Sequence, residues 1–156
     1  MLIAGETAMN FFTRIWNEFN KVILNTSMHG LTSKKILLIQ FRGRKSGLEY
    51  TTPVNYTQQG DSLRITSFIH RNWWRNLETH PDVVVTVRGH KIQGTAEVFV
   101  ERDDVSRELG IFLMSAPEMA KFFKVRQTNG NLNQADLFKT ADQRVMIKVH
   151  LSDPVT

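Results

Sequence analysis

The most regular hydrophobic pattern in this chain lies near its N-terminus, in residues 11–24. Apolar side chains recur there every three or four positions, while polar residues such as Arg14 and Lys21 fall on the opposite side. This spacing predicts an amphipathic helix with Trp16 on its apolar face. Such a helix can dock on a core, cover a ligand pocket, join two subunits or lie on a lipid surface, and the pattern leaves these roles open.

Six shorter segments have the composition of β-strands. They are residues 35–41, 49–57, 62–69, 82–88, 91–100 and 144–151. Strands that follow one another through short turns favour an antiparallel sheet, and this number favours a closed or partly closed barrel. Pro53 in the second segment cannot donate a ladder hydrogen bond, so we expect that strand to have an open edge or a distortion there.

Helical segments are predicted between and after these strands, at residues 70–80, 103–114, 117–127 and 133–140. Asn72 is the expected N-cap of the first segment, and Pro81 is its expected stop. At 156 residues the chain is predicted to be a single α+β domain, a split antiparallel barrel of about six strands with flanking helices. Residues 1–30 would form the N-terminal helix and linker, and residues 35–151 the barrel with its inserted helices.

A net charge of +5 indicates an anionic partner, which could be a phosphorylated small molecule, nucleic acid or a lipid surface. The cations are spread along the chain and no groove-reading motif occurs, so nucleic acid is not expected. The chain has no apolar run of about 18 residues and no signal-peptide pattern. We therefore expect a cytoplasmic monomer or homodimer, with peripheral membrane contact through the N-terminal helix left open.

Several kinds of catalysis are excluded by what the sequence lacks. It contains no cysteine, and its five histidines are scattered without the spacing of a metal-binding helix, so no metal site is expected. The Gly-x-Ser-x-Gly, Walker and Gly-x-Gly-x-x-Gly motifs are also absent. No catalytic side chain is predicted, and an enzyme of this composition would take its reactive group from a bound cofactor.

One short segment between the first two strands concentrates the chemistry that binds phosphate. Residues 42–47 read Arg-Gly-Arg-Lys-Ser-Gly, which combines three cations, a hydroxyl and two glycines in a turn. Such a turn can direct backbone N–H groups and positive charge at one anion. The same composition also occurs in solvated hairpin tips, where basic residues only favour solubility.

Three motifs in order then point to a known family. Gly-Arg-Lys-Ser-Gly at 43–47 precedes Thr-Pro-Val at 52–54; Ser67 precedes Trp-Trp-Arg-Asn-Leu at 73–77; and Pro-Asp-Val-Val-Val-Thr-Val-Arg-Gly fills 81–89. This set resembles the deazaflavin-dependent nitroreductase family, within the flavin- and deazaflavin-binding split β-barrel oxidoreductases. The resemblance implies an 8-hydroxy-5-deazaflavin coenzyme or FMN as cofactor, and hydride transfer to an electron-poor small molecule such as a quinone or nitro compound. A non-catalytic protein that binds a flavin, a deazaflavin or an apolar ligand on the same fold is the alternative.

The resemblance also implies which residues form the site. Those expected to bind the cofactor are Arg44, Lys45, Ser46, Gly47, Pro53, Val54, Ser67, His70, Arg71 and Trp74. Those expected to contact the substrate are Asn55, Met119, Phe122 and Trp16.

This sequence departs from the family pattern at some of these places. Tyr50 stands where members often have an arginine, and Asn55 where a tyrosine is common. The choice between deazaflavin and FMN and the identity of the substrate stay open at this point.

Overall fold

The computed structural model describes residues 35–152, which contain eight strands, three α-helices and one 3-10 helix. In chain order they are β1 (Ile36–Arg42), β2 (Glu49–Gln59), β3 (Ser62–Phe68), α1 (Arg75–Thr79), β4 (Asp82–Val87), β5 (His90–Phe99), α2 (Arg102–Ser115), a 3-10 helix (Pro117–Phe123), β6 (Gln127–Thr128), β7 (Asn131–Leu132), α3 (Gln134–Ala141) and β8 (Arg144–Leu151). The helix predicted at residues 11–24, with Trp16, lies outside the described residues.

Six of the strands close into an antiparallel barrel in the order β1-β2-β3-β8-β5-β4. The barrel and its flanking helices confirm the predicted fold class. Alternate residues of each strand point inward, so Leu37 and Ile39 of β1 meet Val83 and Val85 of β4 in a core that is almost inaccessible to solvent.

A second hydrophobic core lies outside the barrel, between β8 and the helices. One face of α2, including Leu109 and Phe112, packs against the 3-10 helix and α3. Met146 of β8 belongs to this core, whereas its neighbours Val145 and Ile147 point into the barrel. Residues 145–147 of β8 are therefore buried on both faces, which explains why they are all apolar.

A buried ion pair ties α2 to the outer face of the barrel. Arg64 of β3 donates through Nε to Glu108 Oε2 at 2.8 Å, and both residues are buried. Gln59 accepts a further hydrogen bond from Arg64 at 3.1 Å. Because both charges are compensated, this contact fixes where α2 lies without leaving an isolated buried charge.

The structure corrects two of the predicted helices. The segment predicted at 70–80 is helical only over Arg75–Thr79, and its N-cap position is occupied by Trp74, with no side-chain cap, instead of Asn72. The segment predicted at 117–127 is a 3-10 helix that ends at Phe123, because Lys124 adopts a left-handed conformation with φ of 56°. In both places the packing of aromatic residues into the cores overrides local helix propensity.

The loop predicted around Asn129 is a small hairpin of β6 and β7. Asn129 and Gly130 have φ values of 51° and 76°, as a two-residue primed turn requires. The Asn-Gly pair was the available signal for this hairpin. Within residues 35–152 no helix combines the length and the apolar character needed to span a bilayer.

Candidate functional site

The turn between β1 and β2 is closed by backbone hydrogen bonds that leave its tip exposed. The N–H of Gly43 donates to the carbonyl of Leu48 at 2.7 Å, and that of Gly47 donates back to the carbonyl of Gly43 at 2.9 Å. Gly47 has a φ of 68°, in the region that favours glycine. Arg44, Lys45 and Ser46 thus lie at the tip, with exposed side chains.

This turn is fastened to the helix that follows β3. The N–H of Arg44 donates to Oδ1 of Asn76 at 2.9 Å, and Nδ2 of Asn76 donates to the carbonyl of Trp73 at 2.8 Å. Asn76 therefore joins two segments that are 32 positions apart in sequence. In the sequence Asn76 is only one member of the Trp-Trp-Arg-Asn-Leu motif, and the structure shows that it positions the turn.

The side chains of Ser46 and Tyr50 stabilise the turn. Ser46 Oγ and the Tyr50 hydroxyl are 3.0 Å apart, and the N–H of Leu48 donates to Ser46 Oγ at 3.2 Å. The Tyr50 ring stacks on Phe41 with centroids 5.9 Å apart. The tyrosine that replaces the family's frequent arginine thus holds the serine of the turn in place.

The donors at the tip fit a phosphate group. Within the described part of the chain, the backbone N–H groups of Lys45 and Ser46 have no hydrogen-bond acceptor, and the side chains of Arg44 and Lys45 form no ion pair. Two adjacent amides without acceptors beside two cations provide donors and charge of the kind that binds phosphate oxygens. The predicted residues Arg44 and Lys45 are therefore available to a ligand, and Gly47 sets the shape of the turn.

Next to this turn the barrel is split between β2 and β3. Residues 49–55 of β2 pair with β1 alone, and pairing with β3 begins only at Tyr56. On the other side, residues 66–68 of β3 pair with β8 and not with β2. Because the strands are antiparallel, these two open edges face each other at the same end of the barrel. Pro53, Val54 and Asn55 lie on the open edge, as the proline predicted.

Trp73 connects the two sides of this split. Its Nε1 donates to Ser67 Oγ at 3.0 Å, and its ring lies 5.7 Å from the ring of Phe41. Ser67 is buried at the end of β3, where its hydroxyl accepts the indole N–H. The predicted site contains the neighbouring Trp74 and does not contain Trp73.

The structure places Trp74 in the barrel core, with 2% of its surface exposed. Its ring therefore offers almost no surface to a cofactor, which disfavours the predicted side-chain contact. Trp73 and Trp74 are consecutive, and the sequence alone does not show which of them turns inward. Nε1 of Trp74 is buried without a hydrogen-bond partner among the described residues.

His70 and Arg71 follow β3 and are exposed on the far side of the split. The imidazole of His70 stacks on Phe68 with centroids 5.3 Å apart, and the guanidinium of Arg71 lies 6.0 Å from the same ring. Both side chains can reach a ligand at this end of the barrel, so their predicted role is sterically open.

The predicted substrate contacts are divided by burial. Phe122 is 49% exposed, whereas Met119 is 2% exposed and packs in the second core. Met119 therefore offers little surface to a substrate, which disfavours the predicted contact. Asn55 is partly exposed on the open edge of β2, and Trp16 lies outside the described residues.

A cavity of about 950 Å³ lies on the outer face of β1, β4 and β5. Gln40, Val84 and Gln93 are among its lining residues, and His80 and His150 lie at its margins. Within residues 35–152, none of the predicted cofactor residues lines it, and neither do Asn55, Met119 and Phe122. In residues 35–152 no group of three or more histidine, aspartate or glutamate side chains is placed to hold a metal ion.

Comparison with known proteins identifies a family and a shared fold. The sequence model described as F420H(2)-dependent quinone reductase matches residues 12–132, which is most of the chain. No curated protein matches the chain significantly.

Solved structures with the same fold have unrelated sequences. A candidate 5-nitroimidazole antibiotic resistance protein from Bacteroides thetaiotaomicron is 14% identical with a TM-score of 0.56, over 78% of this chain and 75% of that one. A candidate pyridoxamine 5'-phosphate oxidase from Listeria innocua is 12% identical with a TM-score of 0.51, over 87% and 94%. A FAD-binding protein from Mesorhizobium loti is 13% identical with a TM-score of 0.50, over 80% and 86%. At these identities the similarity demonstrates the fold alone.

Proposed function

Because this chain belongs to the F420H(2)-dependent quinone reductase family, we propose that it is an oxidoreductase that uses the deazaflavin coenzyme F420 to reduce an electron-poor small molecule. A quinone or a nitro compound is the expected substrate class. The observation that supports this most directly is the β1–β2 turn, where unpaired amides and two cations lie beside the open edge of β2.

In this proposal the turn binds the cofactor's phosphate. Arg44 and Lys45 provide charge, and the amides of Lys45 and Ser46 provide directional donors. Charge-assisted hydrogen bonds of this kind contribute roughly 1.5–3 kcal/mol each. Asn76 holds the turn in its binding shape before the ligand arrives, which lowers the entropic cost of binding.

The open edge of β2 would hold the cofactor's ring system. Among the described residues, the backbone groups around Pro53 and Val54 have no strand partner on the β3 side, so they would be available to a flat ligand. When bound, the reduced deazaflavin supplies a hydride to the substrate. The protein's own contribution would be to orient donor and acceptor and to exclude water, with the ring of Trp73 forming part of the wall.

Phe122 would lie on the substrate side, since it is the exposed aromatic residue of the 3-10 helix. Replacing it with alanine should then raise the KM for substrate while the Kd for cofactor stays unchanged. The opposite pattern would place Phe122 at the cofactor instead.

Parallel titrations of the purified protein with F420 and FMN, followed by turnover assays, test this function. We expect F420 to bind more tightly than FMN, and reduced F420 to be oxidised when a benzoquinone or a nitroaromatic compound is added. Binding without oxidation by either class of acceptor would indicate a carrier instead of an enzyme. If neither cofactor binds, the proposal is wrong.

A further inference from the structure

An arginine at the start of β8 is held between two aromatic rings. The guanidinium of Arg144 lies 4.0 Å from the ring centroid of Phe68 and 4.5 Å from that of Phe123. Phe68 ends β3, and Phe123 ends the 3-10 helix. Arg144 therefore bridges the stretch predicted to bind cofactor and the helix predicted to contact substrate.

Arg71 is a second cation close to Arg144, and neither forms an ion pair among the described residues. Arg71 approaches the same Phe68 ring, at 6.0 Å. Within residues 35–152 no aspartate or glutamate forms an ion pair with Arg144 or Arg71. Burial, together with the charge of Arg71, lowers the pKa of Arg144 to about 10. Two repelling guanidinium groups, one of them half-buried, are unfavourable unless something compensates them.

An arginine that packs on an aromatic ring can also form an ion pair with an acidic residue. Arg102 lies 5.3 Å from the ring of Phe138 and also pairs with Asp142 at 3.0 Å. Arg75 contacts a single ring, that of Trp74, at 4.4 Å. Arg144 differs from both because its guanidinium contacts two aromatic rings and has a second cation near it.

We propose that Arg144 and Arg71 form an anion subsite that binds a carboxylate or phosphate group of a small molecule held at the split of the barrel. The Arg144 guanidinium packs on both rings and donates no hydrogen bond among the described residues, so its N–H groups are available for the paired hydrogen bonds that a carboxylate accepts. This subsite rests on the proposed function and extends it. It would select substrates that carry a carboxylate next to an electron-poor ring, or it would anchor a second anionic group of the cofactor.

The first test measures the subsite without any cofactor. Benzoate and its neutral analogue benzamide are titrated into the protein and followed by NMR. We expect benzoate to bind with a Kd on the order of 1 mM and benzamide to bind more weakly. Arg144→Gln should weaken benzoate at least tenfold, and Arg144→Lys should retain part of the affinity. Arg102→Gln is the matched control and should change nothing, because Arg102 already has an acid partner.

Folding of the variants is checked by circular dichroism. If Arg144→Gln is unfolded, Arg71→Gln replaces it, since Arg71 is exposed and its loss should weaken benzoate about threefold without affecting the fold. The subsite is overturned if the wild type binds benzoate and benzamide with equal affinity. It is also overturned if Arg144→Gln and Arg71→Gln fold and bind benzoate as the wild type does.

A second measurement identifies the source of the anion. If Arg144→Gln raises the KM of a carboxylated quinone but not that of a neutral quinone, the subsite serves the substrate. If it raises the Kd of F420 instead, the subsite serves the cofactor. Both results support the subsite, and an unchanged KM and Kd contradict it. Benzoate binding by a protein that binds no cofactor would refute the proposed function and leave the subsite intact.

Discussion

Two basic turns connect neighbouring strands of the same barrel, and they are built in opposite ways. The β4–β5 turn consists of Arg88 and Gly89 alone, both with positive φ, between the paired residues Val87 and His90. This is the geometry of a two-residue primed hairpin, which local conformation is sufficient to form. The β1–β2 turn spans residues 43–48 and relies on Asn76, from another part of the chain, to hold it.

The difference shows why a cluster of positive charge is a poor guide to function by itself. Both turns expose cations to solvent. In the β4–β5 turn the backbone is shaped to continue the ladder. In the β1–β2 turn the amides of Lys45 and Ser46 have no acceptor within residues 35–152, and the hydrogen bond from Arg44 to Asn76 holds the turn in that arrangement. The amides of Arg88 and Gly89 likewise have no acceptor among the described residues. What distinguishes the β1–β2 turn is that a distant segment fixes it and that it lies beside the open edge of β2.

The largest expected effect comes from removing the two cations at the tip. Arg44→Ala combined with Lys45→Ala should weaken F420 binding by about 2–5 kcal/mol, because charge-assisted contacts to phosphate are lost. The thermal unfolding midpoint should hardly change, since exposed charges contribute little to folding. The matched control replaces Arg88 of the β4–β5 turn and Lys91 of the adjoining strand β5 with alanine. If both double variants lose the same affinity, net charge alone accounts for binding.

A smaller effect is expected when the tether of the β1–β2 turn is cut. Asn76→Ala removes the hydrogen bonds to Arg44 and Trp73, each of about 1 kcal/mol. Isothermal calorimetry should then show F420 affinity reduced by roughly fivefold. The exposed Asn72, which forms no side-chain hydrogen bond among the described residues, provides the control. Equal affinity of Asn76→Ala and wild type would show that the turn keeps its shape without this tether.

Exchanging the glycines should separate binding from stability. A Cβ at Gly43 would lie 2.6 Å from Ser46 Oγ and 2.7 Å from Tyr50 Cε2, so Gly43→Ala should displace the support of the turn and weaken F420 binding about threefold. Gly89 has a φ of 81° and open space around its Cα, so Gly89→Ala should cost about 1 kcal/mol of stability and leave binding unchanged. Calorimetry and thermal unfolding of both variants measure these effects. A loss of cofactor affinity in Gly89→Ala would contradict the assignment of the two turns.

The smallest effect concerns the third hairpin, β6–β7, which an ion pair fastens to α3. Arg126 donates from Nε and from its backbone N–H to Asp136, at 2.8 Å and 3.0 Å. These bonds lower the pKa of Asp136 to about 2, from an ordinary value of 3.8. The contribution of this carboxylate to stability is therefore present above pH 4 and is lost as the pH falls towards 2.

NMR spectra recorded between pH 4 and pH 2 should show the β6–β7 hairpin changing before the β4–β5 turn. Asp136→Asn should remove this pH dependence. A transition near the ordinary value of 3.8 would contradict the proposed strength of the Arg126 contact.

Much of the fold could be predicted because its signals are local. Runs of β-branched residues identified the six barrel strands, and Pro53 indicated an open edge in β2. The Asn-Gly pair at Asn129 also carried a hairpin signal, which we interpreted only as a loop. The order of motifs around the β1–β2 turn was sufficient to indicate the family that the comparison then identified.

The site depended more on contacts between distant segments. Trp73 and Trp74 are chemically identical neighbours, yet one bridges Phe41 and Ser67 while the other is buried in the core. Met119 is predicted to contact the substrate, whereas the packing of the 3-10 helix on α2 buries it in the second core.

The amino-acid sequence by itself determined the strands, the turn and the charge placed on that turn, because side-chain periodicity and glycine geometry act over a few residues. Tertiary structure decided which donors stay unpaired, which tryptophan reaches the split, and that Arg144 meets Phe68 and Phe123 without an acid. The physical reason is that a hydrogen bond such as that between Arg44 and Asn76 depends on where the closed barrel brings two distant segments together.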